Sequence, residues 1–229
     1  INISDLSNWN YNKKSVIKTR QLGYDGKGQR VINTISEAEE AFKKFGERPC
    51  ILENFVDFAI EVSTISARDI HGNTFTYPPS ENIHKNHILN TSYVPASIDL
   101  KTENALNEIS TKMITNLNYI GILAIEFFLL KDKSILVNEI APRVHNSGHW
   151  TLDGADISQF EQHIRAISQL KILNPKLIFK TKMLNLIGDD VNIWKAKNNS
   201  KNEKIYIYGK TEAKKGRKMG HVNFLEEFK

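Results

Sequence analysis

The segment Gly121–His149, GILAIEFFLLKDKSILVNEIAPRVHNSGH, concentrates the side chains best suited to chemistry. Gly121–Leu130 and Ile135–Ile140 are rich in β-branched and aromatic residues, and the polar run Lys131–Ser134 separates them, which is a hairpin pattern. If Leu130 pairs with Ile135, Glu126 lies directly opposite Glu139. Like charges facing each other across strands destabilise a sheet, and unpaired buried carboxylates are costly. A divalent cation between them removes the conflict. Oxygen ligands with few His or Cys nearby suit Mg²⁺, which typically binds one or two carboxylates together with substrate phosphates. The competing arrangement is a solvated pair on an exposed sheet face, each glutamate with its own lysine. Ile125, Phe127 and Phe128 leave little polar surface for it.

A second candidate is the run Lys18–Gln29, KTRQLGYDGKGQ, with glycines at 23, 26 and 28 between predicted strands. Glycine admits positive φ and lets backbone N–H groups approach an anion, and Lys18 and Lys27 add point charges for phosphate. The run is neither a Walker A sequence nor the dinucleotide-binding glycine pattern. On its own it reads equally well as a flexible turn. His145 and His149 have the spacing of helical zinc ligands, but Asn-Ser-Gly between them is poor helix and no HExxH glutamate is present.

The elements that must position these groups follow from periodicity. Ser15–Thr19, Arg30–Ile35, Cys50–Phe55, Ala59–Arg68 and Thr74–Tyr77 read as strands. Ser36 to Glu39 has the form of a helix capping box, with helix over Ala38–Phe45 and a stop at Gly46. Pro78–Pro95 reads as a polar connection with little periodicity, a length that is usually functional or disordered. Leu100–Asn118 is the best helix, with apolar Leu106, Ile109, Met113, Ile114 and Leu117. Ile157–Leu170 is a second, with Phe160, Ile164 and Ile167 on one face. Lys182–Ile187, Ile205–Tyr208 and Val222–Leu225 suggest a small C-terminal β unit. Strands and helices without regular βαβ alternation argue for an α+β fold.

Composition sets the remaining bounds. The 229 residues suffice for one large domain or two small ones. The net charge of +5 fits anionic small substrates as well as nucleic acid, but no basic and aromatic interleaving of an RNA-stacking kind is present. One cysteine, Cys50, excludes an intrachain disulfide and a thiolate metal cluster, and a cytoplasmic, reducing setting is the simplest match. No apolar run has membrane-spanning length. The start, INISDLSNWN, has no initiator Met or signal peptide and reads as the middle of a longer polypeptide.

Several motifs together carry a resemblance. GYDGKGQ at Gly23–Gln29, YPPSENIH at Tyr77–His84, NEIAPRVHNSGHWT at Asn138–Thr151, NLIGDD at Asn185–Asp190 and GRKMGHVN at Gly216–Asn223 resemble the N5-carboxyaminoimidazole ribonucleotide synthases of the ATP-grasp superfamily. The resemblance runs over nearly the whole chain, in order. It implies an ATP-grasp fold: a lid subdomain at residues 1–58, a larger mixed α/β subdomain at 59–175 and a small C-terminal β domain at 176–229. It also implies an N-terminal Rossmann-like domain of about a hundred residues that this sequence does not include.

By resemblance, Lys18 and the loop Gly23, Tyr24, Asp25, Gly26, Lys27, Gly28 and Gln29 hold the ATP phosphates. Glu53, Asn54, Phe55 and Val56 form the adenine hinge; by residue type alone they are an ordinary strand end. Glu61 takes the ribose hydroxyls and His84 contacts the nucleotide, where alternation alone makes Glu61 a polar-face residue and His84 a surface one. Glu126 and Glu139 match the Mg²⁺ ligands. Asn138 matches a nucleotide or metal contact, and its parity, opposite to Glu139, requires a bend or bulge there. Arg143 clamps an anion. His145, Asn146 and Ser147 contact the acyl phosphate and the ribonucleotide, and Asp25 and Lys27 approach the aminoimidazole and its phosphate. Lys210 and Arg217 match cations that bind the ribonucleotide phosphate, with Lys218 a weaker candidate; a solvated basic tail is the bland alternative. The chain departs from the family pattern at Lys214–Lys218, where an Arg-Pro pair is replaced, and at Leu22, which stands where glycine is frequent.

The implied reaction is ATP- and bicarbonate-dependent carboxylation of 5-aminoimidazole ribonucleotide through carboxyphosphate, with Asp25 or His145 accepting the amine proton and Arg143 at the reacting groups. The implied partners are ATP, bicarbonate and the ribonucleotide, with Mg²⁺ as cofactor, a homodimer as assembly, and neither nucleic acid nor membrane. The alternatives are a sister ATP-grasp enzyme that transfers formate to a different purine ribonucleotide, and an inactive ATP-binding fragment.

Overall fold

The computed structural model describes residues 3–6, 8–9, 13–21 and 28–228. The chain divides into two compact units, Ile1–Asp57 with Asn86–Ile88, and Phe58–Lys85 with Leu89–Lys229.

The first unit holds α1 (Ile3–Leu6), β1 (Ser15–Thr19), β2 (Gln29–Ile32), α2 (Ile35–Lys44) and β3 (Cys50–Asn54). Its strands form an antiparallel sheet in the order β2-β1-β3. Ile17, Ile32, Ala38, Ala41, Phe42 and Cys50 make its core. The capping box lies two residues earlier than expected. Thr34, not Ser36, caps α2 by accepting from the Glu37 N–H at 3.2 Å, and Glu37 reaches back to the Asn33 N–H at 2.6 Å. Both Thr34 and Ser36 have a glutamate three residues on, so spacing alone could not choose between them. Gly46, at φ +72°, stops the helix by bonding the Lys43 carbonyl.

The second unit is built on one large sheet. It contains β4 (Ile60–Arg68), β5 (Thr74–Thr76), β6 (Ser80–Lys85), β7 (Ile88–Val94), α3 (Leu100–Asn116), β8 (Gly121–Leu129) and β9 (Ile135–Ala141). A 3-10 turn (Asn146–Gly148), α4 (Thr151–Gly154), α5 (Gln159–Ile167), β10 (Lys180–Ile187), α6 (Asp190–Lys195), β11 (Glu203–Ile207) and β12 (Lys218–Glu226) follow. The strand order is β11-β12-β10-β7-β6-β4-β8-β9, with β5 on β4. Residues 176–229 extend this sheet, since β10 pairs with β7.

Pairing register decides which side chains share a face. One face packs against α3 through Val62, Leu106, Ile114, Leu123, Ile125, Phe127 and Leu129. The opposite face has an apolar centre that includes Ile65, Ala67, Ile122, Ala124, Trp150 and Met183. On this second face the ladders Glu126↔Glu139, Ser63↔Glu126, Ser63↔Ser80 and Glu61↔Asn82 line up a row of polar side chains. Asn185↔His221 and Tyr206↔His221 continue the row on the C-terminal strands.

Two expectations are corrected. Pro78–Pro95 is a β-hairpin, β6 and β7, whose turn residues Asn86 and His87 adopt φ +51° and +63°. Its inward residues Ser80, Asn82 and Ser92 are polar and buried, so no hydrophobic period marked the strands. On α5 the apolar stripe is not the buried one: Ile164 and Ile167 are 55% and 51% exposed, whereas Gln159, Gln162 and Ala166 are buried. The two glutamines bond main-chain groups, Gln159 at His145 and Gln162 at Leu173, so hydrogen bonding rather than hydropathy orients the helix.

Candidate active site

Glu126 and Glu139 pair directly across β8 and β9, but not through the expected turn register. Leu129, rather than Leu130, pairs with Ile135, and the ladder shifts between Phe127↔Val137 and Glu126↔Glu139. Asn138 is the extra residue of a bulge, the feature its parity required. Burial first, then the carboxylates of Glu139 and Glu61, push the Glu126 carboxyl above its usual range; His84 and Lys218 oppose them. Glu139 is exposed.

Glu61 and His84 form a tight pair, with Nδ1 of His84 2.6 Å from Oε2 of Glu61. Burial pushes the His84 imidazole down, but the Glu61 hydrogen bond and the charges of Glu61 and Glu126 outweigh it, and the net shift is upward. Across the same face, Nε2 of His145 lies 3.6 Å from Oε1 of Glu126. His145 caps the 3-10 turn, its Nδ1 accepting from the Ser147 N–H at 3.4 Å and meeting the Ser147 hydroxyl at 2.9 Å. That arrangement sets the proton on Nε2, facing the carboxylate. Burial, reinforced by Arg143, holds the imidazole neutral, with its pKa lowered to about 3.

The loop that carries His145, Asn146 and Ser147 is fastened from below. Gln159, fully buried, accepts from the His145 N–H at 2.9 Å and donates to the His145 carbonyl at 2.7 Å. Gly148 makes this possible, because a Cβ there would stand 2.7 Å from the Gln159 side chain. Ser80 donates to the Ser147 carbonyl at 3.4 Å and joins Ser63, Asn82 and Ser92 in a buried hydrogen-bonded set. Asn146 and Asn185 exchange amide hydrogen bonds of 2.9 and 2.7 Å.

The candidate cations differ in placement. Arg143 is exposed, its Nη1 donating to the Val144 carbonyl at 3.0 Å. Lys210 donates to the Lys218 carbonyl at 2.6 Å. Arg217 is exposed and lies 3.5 Å from the Glu212 carbonyl. Lys218, the weaker candidate by resemblance, is the cation whose charge acts on His84, Glu126, His145 and His149.

Of the candidates in the first unit, Gly23, Tyr24, Asp25, Gly26 and Lys27 lie outside the described residues. Lys18 bonds Glu53 at 2.7 Å and pairs with Gln29 across the sheet. Gly28 turns at φ +79° and accepts from the Thr19 N–H. Asn54 ends β3 opposite Ser15, Phe55 carries the Lys14 ammonium 3.9 Å from its ring centroid, and Val56 is half-buried.

Among the described residues no group of three or more His, Cys, Asp or Glu side chains is arranged to hold a metal ion. Two facing carboxylates, one of them raised in pKa by burial and further by the other's charge, still fit a hard dication completed by phosphate oxygens. Sequence reasoning missed Gln159 and the part played by Asn185. Gln159 carries no sequence signal beyond a polar residue at a helix start, whereas Asn185 stands in the NLIGDD run, where a polar residue breaks an apolar strand.

Comparison with known proteins adds a separate line of support. A family model described as ATP-grasp domain matches residues 6–160, and one described as phosphoribosylaminoimidazole carboxylase C-terminal domain matches residues 181–229. The N5-carboxyaminoimidazole ribonucleotide synthase of Brucella melitensis biotype 1 is 48% identical over 215 residues, 93% of this chain and 59% of that protein. The Bacillus subtilis protein of the same name is 45% identical over 214 residues, 93% of this chain and 56% of that protein. An ADP complex of N5-carboxyaminoimidazole ribonucleotide synthetase superposes with a TM-score of 0.88 at 41% identity, covering 99% of this chain and 59% of that one. The Aspergillus clavatus synthase in complex with ADP and 5-aminoimidazole ribonucleotide gives 0.84 at 30% identity, covering 92% and 57%. The chain therefore spans 56% to 59% of the length of these relatives.

Proposed function

The chain belongs to the ATP-grasp family, and on that premise we propose that it carboxylates 5-aminoimidazole ribonucleotide to N5-carboxyaminoimidazole ribonucleotide at the expense of ATP and bicarbonate. The observation that carries the reading is the facing pair Glu126 and Glu139, on the same sheet face as Glu61, His84 and the His145 loop. The C-terminal match over residues 181–229 favours this reaction over a formate-dependent sister enzyme.

In the proposed reaction a bicarbonate oxygen attacks the γ-phosphorus of ATP, the bond to the β-phosphate oxygen breaks, and carboxyphosphate and ADP form. The exocyclic amine of the ribonucleotide then attacks the carboxyl carbon of carboxyphosphate, or of CO₂ released from it. Phosphate leaves and the amine proton passes to a base. Glu126 and Glu139 would hold Mg²⁺, which when bound neutralises charge on the phosphates. Glu61 accepts from ribose hydroxyls while His84 holds its second oxygen in place. Glu53 to Val56 contact adenine, and Lys18 with Gly23–Gln29 covers the phosphates and keeps water from carboxyphosphate. Arg143, Asn146 and Ser147 orient the acyl phosphate and the ribonucleotide, and Lys27, Lys210 and Arg217 meet its phosphate. His145 presents an N–H at Nε2 and so serves as a donor to a developing oxyanion. That favours Asp25 as the proton acceptor. A homodimer in the cytoplasm goes with this reading.

The test is ADP release from ATP with bicarbonate, with and without 5-aminoimidazole ribonucleotide. Bicarbonate-dependent release stimulated by the ribonucleotide supports the proposal. Release that requires formate instead assigns the sister reaction, and nucleotide binding without cleavage leaves an ATP-binding fragment.

A further inference from the structure

His149 and His221 stand in the two most specific motifs of the chain, yet the proposed chemistry uses neither. They meet at one hydroxyl. Tyr208 Oη lies 3.0 Å from Nδ1 of His149 and 2.8 Å from Nδ1 of His221. A tyrosine has one proton to donate, so one of these imidazoles must carry a proton on Nδ1 and the other must not.

The surrounding contacts decide which. Nδ2 of Asn185 donates to the Leu89 carbonyl at 2.9 Å, and a carbonyl only accepts, so the Asn185 amide has a fixed orientation. Its oxygen then accepts from Nδ2 of Asn146 at 2.9 Å, and its second N–H goes to Oδ1 of Asn146 at 2.7 Å. That fixes Asn146 in turn and leaves its other N–H aimed at Nδ1 of His149, 3.3 Å away. Nδ1 of His149 is therefore a bare acceptor whose single lone pair is shared, in a three-centre arrangement, by the Tyr208 O–H at 3.0 Å and the longer Asn146 N–H at 3.3 Å, and His221 must donate to Tyr208 from Nδ1. His221 is then left with a lone pair on Nε2, and that atom is indeed buried with no hydrogen-bond partner. The opposite assignment would bury an orphaned N–H there, which is the costlier defect. Burial of both rings also keeps them neutral.

We propose that His221 and Tyr208 are positioning residues: a one-way hydrogen-bond chain, His221 to Tyr208 to His149, holds the imidazole that accepts from Asn146 and so, together with Asn185, keeps Asn146 and its loop in place for the ribonucleotide. His221 on β12 and Tyr208, the residue after β11, are far in sheet order from Glu126 and Glu139 on β8 and β9. The chain thus links β12 and the residue after β11 to the loop, beside the direct Asn185–Asn146 bonds that come from β10. His149 is tied to the same strands by its carbonyl, which accepts from Asn223 at 3.2 Å. The role at the ribonucleotide rests on the proposed function; the direction of the chain does not.

Long-range ¹⁵N–¹H correlation spectra of the histidines at neutral pH test the direction without any assay. The expected result is the Nε2–H tautomer for His149 and the uncommon Nδ1–H tautomer for His221. Finding His221 as Nε2–H overturns the proposal. Tyr208→Phe, with melting temperature as the control for folding, should return His221 to Nε2–H and raise KM for the ribonucleotide about tenfold. Under the same change kcat and ribonucleotide-free ATP cleavage should stay within twofold. In the otherwise unchanged protein, His221→Asn, whose amide N–H can stand in for Nδ1–H, should keep KM near the wild-type value, whereas His221→Gln should raise it as Tyr208→Phe does. Equal KM values in wild type and Tyr208→Phe overturn the positioning role. If no variant, wild type included, cleaves ATP, the proposed function fails while the tautomers still decide the chain.

Discussion

Glu126 and Glu139 face each other because Asn138 is one residue too many. Counting from the turn, Leu129 pairs with Ile135 and Phe127 with Val137, and an unbroken ladder would set Glu126 opposite Asn138. The bulge returns Glu139 to that position. Two carboxylates brought together this way repel unless something positive lies between them, and that tension is the strongest structural argument for a metal-dependent site.

Glu139→Gln should therefore act on the free protein as well as on the nucleotide complex. With the Glu139 charge gone, the Glu126 carboxyl should titrate lower, readable by ¹³C NMR of the side-chain carboxyl. Loss of one charged contact of roughly 1.5–3 kcal/mol should weaken Mg²⁺-nucleotide binding by about tenfold or more, measurable by calorimetry. Unchanged titration and unchanged affinity would remove the metal assignment.

The Glu61–His84 pair makes a second prediction. Glu61 is the main influence raising the His84 pKa against burial. Glu61→Gln should consequently drop the His84 titration seen by proton NMR, because the desolvation that lowers it is then opposed by Glu126 alone. The same variant should weaken ATP binding more than binding of inorganic triphosphate, since the role proposed for the carboxylate is at the ribose.

Gln159→Leu tests the loop support. It removes both hydrogen bonds to the His145 main chain and leaves that buried N–H and carbonyl unsatisfied. The cost should be about 2–4 kcal/mol, from the price of unpaired buried polar groups, visible as a lower denaturant midpoint. Gly148→Ala should destabilise in the same way, because its Cβ would displace the Gln159 side chain.

Stability should fall with acid in a defined window. Burial lowers the His149 pKa to about 4 and that of His221 to about 3, against 6.5 for an unburied imidazole. Between pH 6.5 and about 4 the unfolded chain binds protons that the folded chain refuses. Unfolding free energy should accordingly rise with pH across this window and flatten above it. His221→Asn should reduce the slope, which urea melts at stepped pH would measure.

Much of the site was legible because its residues sit in motifs or on strongly patterned strands. The carboxylate hairpin was evident from two β-rich runs and a polar turn, whereas the bulge was expected only from the contact that the resemblance implies for Asn138 taken together with its parity. The β6–β7 hairpin was not legible. Its inner face carries Ser80, Asn82 and Ser92, which satisfy one another and the loop above, so the usual alternation of apolar and polar residues is missing where the strand is buried. The orientation of α5 is hidden for the same reason: its apolar residues Ile164 and Ile167 share a face, but Gln159 and Gln162 are the anchored ones.

The sequence alone determined which residues carry charge, where helices stop, and that two glutamates of neighbouring strands face each other, because these depend on local spacing and on residue type. Only the tertiary structure decided which strands flank those glutamates, that His84 answers to Glu61, and that Gln159 and Asn185 hold the loop. Those relations join residues as far apart as Asn146 and Asn185 or Glu61 and Glu126. They arise from sheet order and from hydrogen-bond geometry between polar groups that have no periodic signal along the chain.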